Sequence, residues 1–422
     1  MTARQTALLL LQKTEKDRAY SNLALDAALK KSSLSGADKA FCSALFYGVL
    51  ERSITLNAVI SRLSSKPVED LDFDILCILR MGIYQLAFMD SVPESAAVNE
   101  SVKLVKKQSA KGFVNAILRA FTRQRGIVET LSVPQKYSCP EWLYEKWSRE
   151  YGRARAESIM ECSVGAPPVF CRVNTLKITE DELIRRFESE GVRAEKTDLG
   201  NCLRLGRLAV EELPSYAEGM FHIQDKSAQL CAFALGAREN DTVFDLCAAP
   251  GGKSFTVCQL MNGRGRVYSF DIHKNRVSLI SGGAARLGLD SVIAQTGDAS
   301  AFNKALPEAD KVLCDVPCSG LGIIRRKPEI KYKNASDFER LPEIQFKILS
   351  NGSKYVKPGG SLLYSTCTLS RAENEEVSAR FLESHREFET EKLPFCDSFE
   401  TTIFPGQTDG DGFYMAKFRR TK

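Results

Sequence analysis

From about residue 240 onward, short strand-like runs alternate with helix-like runs, and this alternation constrains the fold more than any other feature of the sequence. The strand-like runs include TVFDLC, RVYSFDI, VIAQTGD, KVLCDV and GSLLYSTCT. Strands that alternate with helices are typically parallel and are joined by right-handed crossovers. We therefore predict an α/β, Rossmann-like domain with a mostly parallel sheet over residues 236–422.

The chain before residue 236 has other periodicities. From Thr6 to about Arg125, apolar residues recur at spacings of three and four, which predicts an all-helical bundle over residues 1–130. The run PEWLYEKWSREYG predicts a linker helix. The runs from VFCRVNTLK to FHIQDKSAQL alternate strand, helix and strand, so residues 131–235 are expected to hold this helix and a small α+β module. The module is expected to be either a structural spacer or a contact surface for a binding partner.

Composition narrows the class of protein. A chain of 422 residues with 44% apolar and 26% charged residues is typical of a globular protein with several domains. The leucine run near the N-terminus is too short for a secretory signal, and the apolar run around Arg80 is too short for a membrane span. The thirteen cysteines are expected to be reduced, and the three histidines are too dispersed to suggest a metal site. A soluble, cytoplasmic protein without a metal is expected.

Basic residues are clustered although the net charge is only +5. One cluster lies between residues 103 and 125 and contains Lys103, Lys106, Lys107, Lys111, Arg119, Arg123 and Arg125. A second follows the run PCSG and contains Arg325, Arg326, Lys327, Lys331 and Lys333. Such clusters are the electrostatic footprint of a phosphate-binding surface. A solvated helix face explains the first cluster equally well.

Three acidic residues, Asp271, Asp298 and Asp315, stand at the ends of successive predicted strands. Ligands of open α/β sheets lie beyond these ends, where carboxylates accept hydrogen bonds from hydroxyls and amines. The preceding strand runs into DLCAAPGGKS, whose two glycines allow close backbone approach at a helix N-terminus. The G-x-G-x-x-G fingerprint is absent, and acids would repel a pyrophosphate. The pattern predicts a site for S-adenosylmethionine rather than for a dinucleotide.

At this point a family resemblance is evident. The motifs DLCAAPGGK, DIHKNR, GDAS, DVPCSGLG and YSTCT are similar to the successive motifs of the RNA 5-methylcytosine methyltransferases. Through YSNLALDAAL, RMGIYQLAFMDSVPESAAVNESVKLVKK and GFVNAILR, the first 125 residues resemble the NusB family of RNA-binding helical domains. Together these motifs indicate the RsmB (Sun/Fmu) branch. The resemblance implies that the cofactor, S-adenosylmethionine, is bound by Cys247, Ala248, Ala249, Pro250, Gly251, Gly252, Lys253, Asp271, Asp298 and Asp315.

Two cysteines, Cys318 and Cys367, follow neighbouring predicted strands. Carbon 5 of cytosine is too weakly nucleophilic to attack a methyl sulfonium, but a thiolate added at carbon 6 makes it enamine-like. A second proton-handling group is then useful, because the carbon-5 proton must leave and the thiol must be expelled. The residues alone do not decide which thiol attacks. Analogy with DNA cytosine methyltransferases nominates Cys318, whereas the closer resemblance implies that Cys367 attacks and Cys318 assists release, with Asp315 at the cytosine N3 edge.

The chemistry also constrains the substrate. A base must be unstacked before a thiol can reach carbon 6, which favours a loop or a single strand. The resemblance implies 16S ribosomal RNA, a hairpin loop met before the small subunit is fully assembled, and cytosine 967 as the target. Neither DNA nor a membrane is expected as a partner. Two alternatives stay open: a catalytically silent RNA-binding assembly factor, and a methyltransferase for another RNA, for DNA or for protein.

Overall fold

The structure of the protein is a computed structural model, which describes residues 1–17, 21–206 and 210–422. The chain divides into two units, each with its own packed interior. The first unit comprises Met1–Ala166 and Ile324–Lys333, and the second comprises Pro167–Ile323 and Asn334–Lys422. The domain boundaries expected near residues 130 and 235 stay predictions.

The first unit is helical, which confirms the predicted all-α domain. Its described α-helices are α1 (Ala3–Asp17), α2 (Ser21–Lys31), α3 (Gly36–Glu51), α4 (Ser53–Leu63), α5 (Phe73–Phe88), α6 (Glu94–Leu104), α7 (Gln108–Arg123), α8 (Val133–Lys136), α9 (Glu141–Tyr151) and α10 (Arg153–Cys162). Residues 18–20 of the predicted helical stretch lie outside the described residues. Helix α5 is central, and its run Ile75–Ile83 is buried throughout. Arg80 within it is satisfied by a 2.8 Å hydrogen bond to Asn57 Oδ1.

The segment Ile324–Lys333 packs within the first unit and corrects one expectation. It contains a short 3-10 helix, Pro328–Tyr332, and the Tyr332 hydroxyl donates to the Leu50 carbonyl at 2.7 Å. Lys331 is only 2% exposed and donates from Nζ to the Glu51 carbonyl at 2.7 Å. Burial lowers the pKa of this lysine to about 8. Lys331 therefore lies in the interior, and the prediction that it belongs to a phosphate-binding surface is wrong.

The second unit begins with the predicted small α+β module. Its four strands are β1 (Val169–Val173), β2 (Ala194–Lys196), β3 (Cys202–Leu205) and β4 (Phe221–Ile223), and they form an antiparallel sheet in the order β2-β3-β1-β4. Helix α11 (Glu180–Ser189) covers the sheet and begins with a capping box between Thr179 and Glu182. Leu183 and Phe187 on its buried face pack with Phe221 of β4. A four-residue helix, α12 (Pro214–Ala217), precedes β4.

The rest of the second unit is the predicted Rossmann-like domain. Its strands are β5 (Thr242–Asp245), β6 (Arg266–Asp271), β7 (Val292–Thr296), β8 (Ala309–Asp315), β9 (Val356–Thr366), β10 (Phe388–Thr390), β11 (Glu400–Ile403) and β12 (Phe413–Arg420). Its helices are α13 (Lys226–Leu235), α14 (Gly252–Leu260), α15 (Lys274–Leu287), α16 (Leu341–Gly352) and α17 (Glu375–Ser384). The sheet order is β10-β12-β9-β8-β5-β6-β7, with β11 paired to β12.

Strands β9, β8, β5, β6 and β7 are parallel, and only the pairings of β12 are antiparallel. This mostly parallel sheet confirms the predicted fold class. Because parallel neighbours end at the same edge, the residues that follow these five strands are gathered on one side of the sheet. Within the described part of the chain, no helix is both long and apolar enough to cross a membrane.

Candidate active site

The loop between β5 and α14 approaches the carboxyl edge of the sheet closely. It contains a cis peptide bond between Ala249 and Pro250 and then turns at Gly251, whose φ is +111°. A Cβ on Gly251 would lie 2.3 Å from the Phe255 ring, so glycine alone fits there. Among the described residues, no side chain caps the N-terminus of α14. The first backbone N–H groups of α14 therefore have no partner within the helix. Together with the helix dipole they favour a negatively charged group at this end of the helix.

Asp271 ends β6 and is held in place by its own loop. Its side chain is 5% exposed; Oδ1 accepts the His273 N–H at 2.9 Å, and Oδ2 lies 3.3 Å from Arg276 Nη1. Arg276 also donates to the Ala249 carbonyl at 3.3 Å, which ties β6 to the glycine-containing loop. The carboxylate is thus fixed at the strand end where a ribose is expected.

Asp298 follows β7 and is more exposed than Asp271. Its Oδ1 accepts the Ser300 N–H at 2.8 Å. Hydrogen bonds from the Ser300 side chain and backbone lower the pKa of Asp298 below its ordinary value. The structure therefore places an ionised carboxylate at the third strand end.

Asp315 ends β8 and forms an ion pair with Lys253 in the first turn of α14. Lys253 Nζ lies 2.7 Å from Asp315 Oδ2, and the Ser365 hydroxyl donates to Oδ1 at 2.9 Å. Burial disfavours the lysine's charge, but Asp315 together with the nearby Cys231 and Asp245 outweighs burial and raises the pKa of Lys253 above its ordinary value. The Asp315 side chain stays 24% exposed, so a ligand can still reach it.

The structure brings the two predicted cysteines together. Cys318 and Cys367 follow the adjacent strands β8 and β9, whose register pairs Asp315 with Ser365. Their sulfurs lie 3.3 Å apart, within hydrogen-bonding distance for thiols. The hydrogen bond to Cys367 and burial raise the pKa of the Cys318 thiol well above its ordinary value. Either sulfur can be the donor in this contact, and the raised pKa favours the protonated form of Cys318.

Two acidic residues of this region were missed by the sequence analysis. Glu373 is 2% exposed and lies beside the loops that carry the cysteines. Asp245, at the end of β5, is also 2% exposed, and its Oδ2 accepts the Ser254 hydroxyl at 2.7 Å. In the sequence, the only signal for Asp245 was its position as the first residue of DLCAAPGGK, directly before the loop that joins β5 to α14.

These groups fit S-adenosylmethionine. The uncapped N-terminus of α14 suits the amino acid carboxylate, and fixed strand-end carboxylates suit ribose hydroxyls and the amines. Among the described residues, no group of three or more His, Cys, Asp or Glu side chains is arranged to hold a metal ion.

The buried carboxyl group of Asp245 gives a pH prediction. Burial raises its pKa to about 7 in the folded protein, whereas an unfolded aspartate titrates near 4. Between these values only the folded state holds the proton, so stability falls as the pH rises from about 4 to 7, by up to about 4 kcal/mol. Asp245→Asn should remove this loss. The melting temperature of the Asp245→Asn variant, measured without ligand from pH 4.5 to 7.5, should therefore fall less steeply with rising pH than that of the wild type.

A matched control for this measurement is Asp409→Asn, because the Asp409 side chain is 66% exposed. This variant should retain the wild-type pH dependence. If Asp245→Asn also retained it, the buried carboxyl group would not be the source of the dependence.

Comparisons with known proteins agree with this architecture. A family model described as 16S rRNA methyltransferase RsmB/F matches residues 232–419. A NusB family model matches residues 1–123, and a ferredoxin-like domain model of RsmF/B-like methyltransferases matches residues 139–210.

Individual relatives match over the whole chain. A probable ribosomal RNA small subunit methyltransferase B of Bacillus subtilis (strain 168) is 36% identical over an alignment of 443 positions, which covers 99% of each chain. A protein of the same name from Synechocystis sp. is 35% identical over an alignment of 444 positions, which covers 100% of each chain. The crystal structure of PH0851 shares the fold, with a TM-score of 0.80 and 23% identity over 100% of this chain and 99% of the other. The predicted family is confirmed: the chain belongs to the RsmB/F family of ribosomal RNA small subunit methyltransferases.

Proposed function

We propose that the protein transfers a methyl group from S-adenosylmethionine to carbon 5 of a cytosine in 16S ribosomal RNA, through a covalent adduct between Cys367 and carbon 6. The observation that carries this proposal is the 3.3 Å separation of Cys318 and Cys367 at the sheet edge where the cofactor-binding groups also lie. Acid and base groups alone do not activate carbon 5, whereas a thiol at carbon 6 does. The general activity of an rRNA methyltransferase follows from the family.

The first step is attack by the Cys367 thiolate on carbon 6. The new S–C bond pushes the electron pair of the C5–C6 double bond toward carbon 5, and the ring's negative charge is stabilised at its N3 edge. In this proposal N3 takes up a proton from water and returns it when the thiol leaves, and Asp315, held by Lys253 and Ser365, accepts a hydrogen bond from that N3–H.

S-adenosylmethionine, when bound, supplies the methyl group that carbon 5 takes up. Release then requires that the carbon-5 proton pass to water and that its bonding electrons restore the C5–C6 double bond. The S–C6 bond breaks and Cys367 departs as a thiolate. Because Cys318 keeps its proton, it donates a hydrogen bond to that departing anion and lowers the barrier to release.

For the RNA partner, we propose a hairpin loop of 16S ribosomal RNA, met before the small subunit is fully assembled, with cytosine 967 as the target. Two observations support an RNA surface on the first unit: the NusB match over residues 1–123, and an exposed basic stretch on α6, on α7 and on the residues that follow each of them. The exposed members are Lys103, Lys106, Lys107, Arg119, Arg123 and Arg125.

The test is incubation of the purified protein with methyl-labelled S-adenosylmethionine and unmodified 16S rRNA, followed by bisulfite sequencing. Label should enter RNA, and a single cytosine should become resistant to bisulfite. If label entered only DNA or protein, the proposed substrate would be wrong. If RNA bound without accepting label, the protein would be an assembly factor without catalytic activity.

The basic stretch gives a second prediction. The double variant Lys106→Ala/Lys107→Ala should weaken RNA binding. Each phosphate contact releases counterions from the RNA when the complex forms, and the variant loses this favourable release at two contacts. The slope of log affinity against log salt should fall by roughly 1.5 for two contacts to single-stranded RNA. Filter binding between 50 and 300 mM salt measures both effects.

The control pair is Lys30→Ala/Lys31→Ala, two exposed lysines in the last turn of α2. This variant should bind RNA with the wild-type salt slope. Equal slopes for both double variants would show that the α6–α7 stretch is an ordinary solvated face.

A further inference from the structure

A buried carboxylate links the two loops that carry the cysteines. Glu373 lies in the one-turn 3-10 helix Arg371–Glu373 that follows β9. Its Oε2 accepts the Ser319 N–H and the Gln345 amide, each at 2.9 Å, and its Oε1 accepts the Ser319 hydroxyl at 2.5 Å. Three donors therefore converge on one side chain in a buried site, where each would be costly to leave unpaired.

The same network joins the residues that directly follow the two cysteines. Ser319 Oγ lies 2.6 Å from Thr368 Oγ1. Because the Ser319 hydroxyl donates to Glu373, it is Thr368 that donates to Ser319. Gln345 in addition donates to the Pro317 carbonyl at 3.0 Å. The chain is thus held on both sides of Cys318, at Pro317 and at Ser319.

Glu373 is itself fixed to the strand and loop that carry Cys367. The Tyr364 hydroxyl of β9 donates to the Glu373 carbonyl at 2.5 Å. The neighbouring Asn374 accepts from the Thr366 hydroxyl at 2.6 Å and donates to the Thr368 carbonyl at 3.0 Å. These bonds anchor the carboxylate to the Cys367 side, while its oxygens hold the Cys318 side.

We propose that Glu373 is a positioning residue that holds Cys318 against Cys367, and that it thereby governs release of the RNA adduct rather than its formation. This inference rests on the proposed function. Glu373 acts through Ser319 and Gln345, and no hydrogen bond joins its side chain directly to either sulfur among the described contacts. Attack needs only the Cys367 sulfur, whereas release depends on the Cys318 S–H, so loss of Glu373 should affect the second step.

The experiment compares Glu373→Ala, Glu373→Gln and the control Glu375→Gln in the full chain. Glu375 is the partly buried carboxylate two residues away, and it bonds Thr402 rather than a cysteine loop. Each variant is mixed with RNA and S-adenosylmethionine, and the fraction of protein bound covalently to RNA is read on a denaturing gel. The first turnover is timed separately by rapid quench.

In Glu373→Ala the adduct should accumulate about tenfold above the wild type while the rate of the first methyl transfer stays within about threefold. Glu373→Gln should recover most of the release rate. Its carboxamide oxygen can accept from Ser319 N–H and Gln345, and its amino group can donate to Ser319 Oγ, whose hydroxyl then turns to Thr368. Glu375→Gln should behave as the wild type.

Two results would overturn the inference. One is a Glu373→Ala protein that folds, forms no excess adduct and turns over normally. The other is a folded Glu373→Ala protein in which adduct formation and methyl transfer fall together. If Glu373→Ala does not fold, as judged by its thermal melt, Ser319→Ala replaces it: this variant keeps the backbone bond but loses the hydroxyl bridge, and it should accumulate adduct.

Failure of the proposed function would look different. If neither Cys318→Ala nor Cys367→Ala forms an adduct with RNA, the covalent mechanism itself is wrong. If Cys318→Ala traps RNA and neither Glu373→Ala nor Ser319→Ala does, the mechanism stands and only the positioning role of Glu373 is lost.

Discussion

Replacement of Cys367 by alanine should lower methyl transfer to RNA by about 10⁴-fold or more, and no covalent RNA complex should form. The reason is that carbon 5 gains its nucleophilicity only when a sulfur is bonded to carbon 6. Cofactor binding should not change, because the groups assigned to it lie in the β5–α14 loop, on α14 and at the ends of β6, β7 and β8. Incorporation of labelled methyl groups measures the activity, and a denaturing gel measures the complex.

A matched control is Cys396→Ala, which removes another partly exposed thiol of the second unit. Cys396 contacts the Ser398 carbonyl at 3.7 Å and not the cysteine pair. Its loss should leave transfer unchanged. If the covalent complex survived Cys367→Ala and disappeared with Cys318→Ala, the roles assigned to the two thiols would be reversed.

Cys318→Ala should have the opposite signature: RNA should remain attached to nearly every protein molecule, and multiple turnover should fall by about a hundredfold or more. The first methyl group should still be transferred, because Cys367 retains its sulfur. Release slows because the departing thiolate has lost the S–H donor that lies 3.3 Å away in the wild type. Mass spectrometry of the trapped complex should show a methylated nucleotide on Cys367.

Cys318→Ser refines this test. Serine keeps an O–H donor but shortens the reach, so turnover should lie between that of the alanine variant and that of the wild type. A serine variant that is as fully trapped as the alanine variant would show that donation to the departing sulfur is not the function of Cys318. Unchanged turnover in Cys318→Ala would exclude any role for this thiol in release.

Much of the fold could be predicted because it is encoded in local periodicity. The strands from β5 to β9 were recognisable as short apolar runs between helical segments, and their parallel arrangement follows from those crossovers. That arrangement is also why Asp271, Asp315 and the two cysteines could be placed at one edge. Strand β10 has only three residues, too few for an alternating pattern to stand out.

The contacts between distant segments could not be predicted. Glu373 stands in RAENEE, where nothing distinguishes it from the exposed Glu376 three residues later. Its importance arises because Ser319 and Gln345 reach it from elsewhere in the sequence. Lys331 misled the charge analysis for the same reason: a lysine in a basic run is usually solvated, and only tertiary packing shows that this one is buried.

The separation of the first unit into two stretches of sequence bears on how the protein can be dissected. A truncated chain that begins at residue 167 would retain Ile324–Lys333 but lack its packing partners, so the Lys331 ammonium would lose the Glu51 carbonyl that accepts from it. A truncated chain that ends at residue 166 would have the reciprocal defect, because the end of α3 would lack the segment Ile324–Lys333 that packs against it. Excision of either half for separate expression should therefore begin with redesign of this ten-residue insert.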